Sequence, residues 1–295
     1  MRSPRFTHFL AIDWSGAKGE RHKGIALGLA HADGGPPVLV EPPPRGWARE
    51  EVLAILLDLP QDTLVGMDLG ISLPFADAGA FFPGWDDSPR DARSLWRLID
   101  DICACDPHLE ASSFVTHPEA RRHFRHGRDD EGKYFHLAGA ATREGRFRRA
   151  EAAQRQQGCR PVSNFNLVGA AQVGKSSLTG MRLLHRLAGQ VPVWPVDPLP
   201  DSGSAIVEIY TSLAAKEAGV GANRSKIRTF EDLNIALATW EVPPVRGEGP
   251  LDDHSSDALI TAAWLRRVAH DPARWRPAGL TREIARTEGW TFGAY

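Results

Sequence analysis

"THFLAIDWSG", Thr7 to Gly16, decides how the rest of the chain is read. The apolar run Phe9 to Ile12 has the length of a short buried strand and stops at an aspartate followed by Trp-Ser-Gly, which are turn residues. "DTLVGMDLGISLPF", Asp62 to Phe75, repeats the pattern: Leu64 to Met67 is strand-like, and Asp68 and Gly70 end it. Two strands that are apolar until an aspartate near their carboxyl ends point to an α/β sheet, because in such sheets the reactive groups collect at those ends.

The neighbouring segments fit the same architecture. "KGIALGLA" and "PVLVEPP" read as two more short strands, bounded by Gly and Pro. "AREEVLAILLDL" has apolar residues at Val52, Leu53, Ile55, Leu56 and Leu59, the spacing of an amphipathic helix. Further on, "VPVWPV" reads as an edge strand or loop, since its prolines cannot donate to a ladder. "SAIVEIYTS" is a strand carrying Glu208, and "HSSDALITAAWLRRVA" is a helix whose apolar face includes Leu259, Ile260, Ala263, Trp264 and Val268. Between these halves the character changes. Residues 77–189 read as a mostly helical insertion, with a basic stretch from His117 to Arg149 that holds nine Arg/Lys against five Asp/Glu, a net +4.

Composition bounds what this chain can do. It has 295 residues, 42% hydrophobic and 24% charged, ordinary for a globular protein that buries one large core. A net charge of −2 excludes a global basic field, so any attraction to nucleic acid is local. Cys103, Cys105 and Cys159, an odd number with C-x-C spacing, fit neither a disulfide framework nor a four-ligand zinc site and read as reduced thiols. No apolar run reaches the roughly 18 residues of a membrane span, and the N-terminal run is too short for a signal peptide. The expectation is a cytoplasmic protein without a membrane partner.

Two constellations carry chemistry. "GAAQVGKS", Gly169 to Ser176, fits the phosphate-cradling pattern G-x-x-x-x-G-K-[ST]. The "SNFNLVG" before it is short and polar for the strand that delivers such a loop, and no apolar run ending in a magnesium-binding Asp follows. A glycine-rich turn before a helix, with Lys175 solvated or on a substrate phosphate, is the preferred reading. The second constellation is Asp13, Asp68, Glu208, Asp253 and Asp257. Asp253 and Asp257 are four residues apart, so they share one face of the late helix. Mg²⁺ prefers such hard oxygen ligands, and two ions held by acids from separate elements cleave phosphodiesters. Each acid also has a plainer reading: Asp253 as a helix cap, Asp13 and Asp68 as turn residues, Glu208 as half of a buried salt bridge with an arginine.

The order of these elements resembles the ribonuclease H-like fold. "AIDWSG" looks like the first-strand motif of that superfamily, and "HSSDAL" resembles the start of the last helix in Holliday-junction resolvases. More closely, the chain is similar to the bacterial family called domain of unknown function 429, predicted ribonuclease H-like nucleases. The stretches that carry this are "IDWSGA", "GMDLGISLPFA", "LVGAAQVGKSSLTGMRLL", "VEIYTS", "DDHSSDALITAAWL" and "EGWTFGAY", in order over nearly the whole chain. The resemblance implies Asp13 and Asp68 on the first and fourth strands, Glu208 on the fifth, and Asp257, with Asp253 as the alternative, on the last helix. Resolvases usually carry Glu at the fourth-strand position, where this chain has Asp68. That leaves the metal spacing open.

The insertion offers a possible grip on substrate. Arg121, Arg122, Arg125 and Arg128 would form one basic helical face among aromatics, suited to a nucleic-acid backbone, or else a solvated face balanced by Asp129, Asp130 and Glu131. His117, His123, His126 and His136 match no zinc spacing and read as solvated or phosphate-facing. His254 either caps its helix or assists proton transfer.

These readings give an α/β, ribonuclease H-like mixed sheet flanked by helices. Residues 1–76 and 190–275 form the core, 77–189 the insertion, and 276–295 a tail packed on the core. The expected activity is Mg²⁺- or Mn²⁺-dependent two-metal hydrolysis of nucleic acid. Asp13, Asp68, Asp257 and Glu208 would be catalytic, Asp13, Asp68, Asp253 and Asp257 would hold metal, and Ser15, Lys175, Arg121, Arg125 and His254 would meet phosphate. A homodimer is left open. The alternatives are a P-loop NTPase, an actin-like phosphotransferase using "DWSG" and "DLGIS", and a nucleic-acid binder without catalysis.

Overall fold

In the computed structural model, residues 5–137, 144–169, 172–220 and 227–295 are described. Ala170 and Ala171 of the glycine-rich motif and residues 138–143 of the basic stretch lie outside them.

The chain runs β1 (His8–Asp13), β2 (Ala26–His31), β3 (Val38–Leu39), α1 (Arg49–Leu57), β4 (Thr63–Asp68), α2 (Ala92–Ile102), α3 (Ser112–Thr116), α4 (Pro118–Arg121), α5 (Arg149–Gln156), α6 (Val173–Arg186), β5 (Val193–Trp194), β6 (Ala205–Glu208), α7 (Thr211–Glu217), α8 (Phe230–Ala238), α9 (Asp253–Val268) and α10 (Arg282–Arg286). The strands form one sheet in the order β3-β2-β1-β4-β6-β5. β1, β2 and β3 pair antiparallel, whereas β4, β6 and β5 extend the sheet parallel to β1. The architecture is therefore α/β with a mixed six-stranded sheet flanked by helices. The proline-flanked "VPVWPV" supplies β5, a two-residue edge strand, as its composition requires.

Both faces of the central strands are buried, which is why they read as continuous apolar runs. Alternation sends Leu10, Ile12, Val65, Met67 and Ile206 to one face, where they join Val52 of α1, Trp96 of α2 and Leu178 and Met181 of α6. Phe9, Ala11, Leu64 and Val207 go to the other, against Trp264 and Leu265 of α9. The 77–189 segment thus builds half of the main core, since α2 and α6 cover one sheet face. Residues 290–294 also belong to the core: Trp290, Thr291 and Phe292 are buried, and the Phe292 N–H donates to the Glu208 carbonyl (2.8 Å).

Helix α9 lies directly on β1 and β2. Gly28 permits this approach, because a Cβ there would sit 2.4 Å from the Ala258 carbonyl oxygen. Asp252 caps α9 by accepting from Ser255 N–H (3.0 Å), so the cap precedes Asp253 by one residue. All three cysteines are free, and burial pushes the Cys103 thiol up to about 12. No helix of the described residues is long and apolar enough to cross a membrane.

Candidate active site

The strand register brings the two aspartates together. On the adjacent parallel strands β1 and β4, Asp13 is the direct partner of Asp68, and both side chains emerge on the α9 face at the carboxyl end of the sheet. Asp257 of α9 acts electrostatically on Asp68 and on His254. Asp13 and Asp68 are thus neighbours, with Asp257 within electrostatic reach of Asp68. Burial raises the Asp68 carboxyl well above the usual aspartate range, and repulsion from Asp13 and Asp257 raises it further. Burial also raises Asp13, an effect that a hydrogen bond with His254 partly offsets. His254 Nδ1 lies 2.8 Å from Asp13 Oδ2, and that contact raises the imidazole above its ordinary value. The other edge of the ring faces Gly24: a Cβ built there would lie 3.3 Å from His254 Nε2 and 3.5 Å from Ser15 Oγ. Ser15 and His254 thus belong to the same rim.

Glu208 borders the same small pocket as Asp68 and adds to the repulsion on it, but its carboxylate is engaged elsewhere. It pairs in register with Met67, one residue before Asp68, so the period-2 alternation of the strand sends it to the opposite face of the sheet. There Arg148, itself buried, grips both carboxylate oxygens (2.5 and 2.7 Å), the Ile71 N–H donates to one of them (2.8 Å), and Thr291 Oγ1 donates to the other. Arg148 also binds Glu151. The salt-bridge reading of Glu208 is the one that the structure contains. Asp252, the residue before Asp253, bears electrostatically on Asp13 from this end of α9.

The glycine-rich motif does reach the site, though as a helix start. The element before it is helix α5, not a strand, and Lys175, in the first turn of α6, donates to Gln172 Oε1 (2.8 Å). The first turn of α6 abuts the loop after β1: a Cβ on Gly16 would fall 2.3 Å from the Ser176 nitrogen. Trp14 Nε1 donates to Thr179 Oγ1 (3.0 Å), and Gly70 N–H donates to Ser177 Oγ (3.2 Å). Between α6 and β4 opens a small pocket of about 160 Å³, lined in part by Asp68, Gly70, Asn164, Ser176 and Tyr210. Sequence reasoning missed Arg49, which is fully buried and braces the loop after β1 through the carbonyls of Ser15 and Ala17.

The expected basic face is not formed. α4 ends at Arg121, so Arg121 to Arg128 share no continuous helix. Arg121 pairs with Asp130 (2.7 Å), Arg122 with Glu119 (2.5 Å) and Arg125 with Glu131 (3.4 Å). These are mostly the compensating acids of the plainer reading. The histidines also differ from expectation. His123 is fully buried, stacked on Tyr134 with centroids 5.0 Å apart, and burial lowers it to about 3. His117 stacks on Trp85 (5.0 Å). His123 is an aromatic core member, whereas His117 and Trp85 are half-buried.

Among the described residues no three His, Cys, Asp or Glu side chains are grouped closely enough to hold a metal ion on their own. Compared with known protein families, curated proteins and solved structures, the chain matches none, so the resemblance drawn from its sequence rests on the short motifs themselves.

Proposed function

We propose that the chain is a divalent-cation-dependent phosphodiesterase acting on nucleic acid by two-metal hydrolysis, built on a ribonuclease H-like core. The observation that carries this reading is the in-register pairing of Asp13 with Asp68 across the central parallel strands, beside the start of α9 with His254 and Asp257. The strand order supports the fold assignment: an antiparallel trio, then parallel strands, with acids ending the first and fourth.

The donor set suits Mg²⁺ or Mn²⁺. The oxygens are hard, and Asp68 and Asp13 repel each other in a buried place where a cation would relieve the strain. Mg²⁺ is commonly held by one or two carboxylates plus waters and substrate phosphate oxygens, so a complete protein cage is not required. Bound there, the metal would supply Lewis acidity and an activated water. Asp13 and Asp68 would hold it, with Asp257 at the edge. His254, fixed through Nδ1, keeps its other ring nitrogen on the Ser15 and Gly24 side, where a proton can be passed to a leaving oxygen. Ser15 and Lys175 stand at the rim where phosphates would pass.

The test is cleavage of labelled single- and double-stranded DNA and RNA with Mg²⁺, Mn²⁺ or EDTA. Cleavage that needs metal and disappears in Asp13→Asn and Asp68→Asn is expected. Absence of cleavage on every substrate, or ATP hydrolysis that depends on Lys175, would replace this reading.

A further inference from the structure

At the same end of the sheet, on the β2–β3 side of His254, lies a groove of about 540 Å³. Its walls include Ile25, Leu39, Val40, Pro43 and Trp47. Leu39 and its neighbour Val38 stand 38% and 48% exposed side by side on the edge strand. Lys23 and Arg45 also line the groove, and neither is ion-paired among the described residues. The opposite wall is the start of α9, with Asp252, His254 and Ser255, where the Asp252 carboxylate is engaged in capping. His254 is therefore shared: one side of its ring is fixed to Asp13 and the other borders the groove.

We propose that this groove receives one unpaired base of the nucleic acid, with flanking phosphates at Lys23 and Arg45, so that the substrate is single-stranded or locally unpaired at the cleaved position. The proposal rests on the phosphodiesterase reading for the presence of a strand at Asp13. The volume lies within the range of small-ligand sites, roughly 300–1,000 Å³. Apolar walls with a few polar groups match a flat base, which has a face to stack and an edge to hydrogen-bond. A duplex hides its base faces, so it fills such a slot only by extruding a nucleotide. The two cations, without ion-pair partners among the described residues, complement a polyanion, which an apolar partner segment does not supply.

The experiment is fluorescence polarisation of a short labelled oligonucleotide, single-stranded or annealed to its complement, in EDTA so that nothing is cut. Single strands should bind about tenfold or more tighter than duplex, and Leu39→Asp should remove most of that advantage while leaving duplex binding and the thermal midpoint unchanged. Arg45→Ala should weaken binding and flatten its salt dependence. Equal affinity for both forms, or an unaltered Leu39→Asp variant, overturns the proposal. So does a Leu39→Asp effect on sedimentation instead of on oligonucleotide affinity, which would assign the groove to a second copy. If the binding pattern holds but no metal supports cleavage, the groove assignment stands and the phosphodiesterase reading falls.

Discussion

His254 Nδ1 sits 2.8 Å from Asp13 Oδ2, joining residues 241 positions apart. The aspartate holds the imidazole above its ordinary value of 6.5. A proton on the folded-state ring is therefore bound more tightly than in the unfolded chain, and the stability it contributes is fully present below about pH 6.5 and lost as pH rises through the folded value. The stability deficit of His254→Ala, followed by urea denaturation, should shrink as pH rises through that window. In NMR titrations Asp13→Asn should lower the His254 midpoint. An unchanged midpoint would mean that the contact does not persist in solution.

Asp68 predicts a conflict between stability and function. Its carboxyl is raised by burial and by Asp13 and Asp257, so ionising it costs the fold stability; the penalty is full above the folded value, shrinks as pH falls below it, and is gone below the ordinary aspartate value of 3.8. Asp68→Asn should stabilise the metal-free protein by roughly 1 kcal/mol at neutral pH and abolish cleavage. Excess Mn²⁺ should raise the melting temperature of the wild type and not of the variant. A destabilised variant, or equal Mn²⁺ shifts, would contradict the account.

Glu208 and Arg148 behave as architecture. Arg148→Ala strands two buried carboxylates, Glu208 and Glu151, and should cost about 3–5 kcal/mol in chemical denaturation. Metal affinity per folded molecule should not change in Glu208→Gln. A variant that folds normally yet loses Mn²⁺ binding would return Glu208 to the metal site.

Gly16→Ala should fold poorly. The new methyl would meet the Ser176 nitrogen at 2.3 Å, and the backbone of α6 must move to admit it, at a cost of about 1–3 kcal/mol. Differential scanning calorimetry reads this directly. A melting temperature equal to that of the wild type would show that the loop after β1 and α6 do not pack as described.

Much of this arrangement was legible in the sequence. The apolar runs ending at Asp13 and Asp68 gave β1 and β4 and their shared end, the spacing of "HSSDALITAAWL" gave α9, and the prolines around Val193 gave an edge strand. Register was not legible. Nothing local says that Glu208 pairs with Met67 instead of Asp68, and that single step sends its side chain to the other face. Arg148 and Glu208 are 60 residues apart, so their pairing leaves no periodic trace. The run of arginines looked like a helical face because spacing alone does not reveal that the helix stops at Arg121, where each guanidinium finds an acid nearby. Glycines in "DWSG" and "DLG" look like turn residues, yet Gly16 and Gly70 serve the close approach of α6.

Because α9 closes over β1 only after more than 200 intervening residues are in place, the pairing of Asp13 with His254 is absent from a growing polypeptide. Such distant contacts form late and slowly. A fragment released by the ribosome before residue 253 would carry the two strand aspartates without their helix, so any chemistry that needs all three waits for the finished chain.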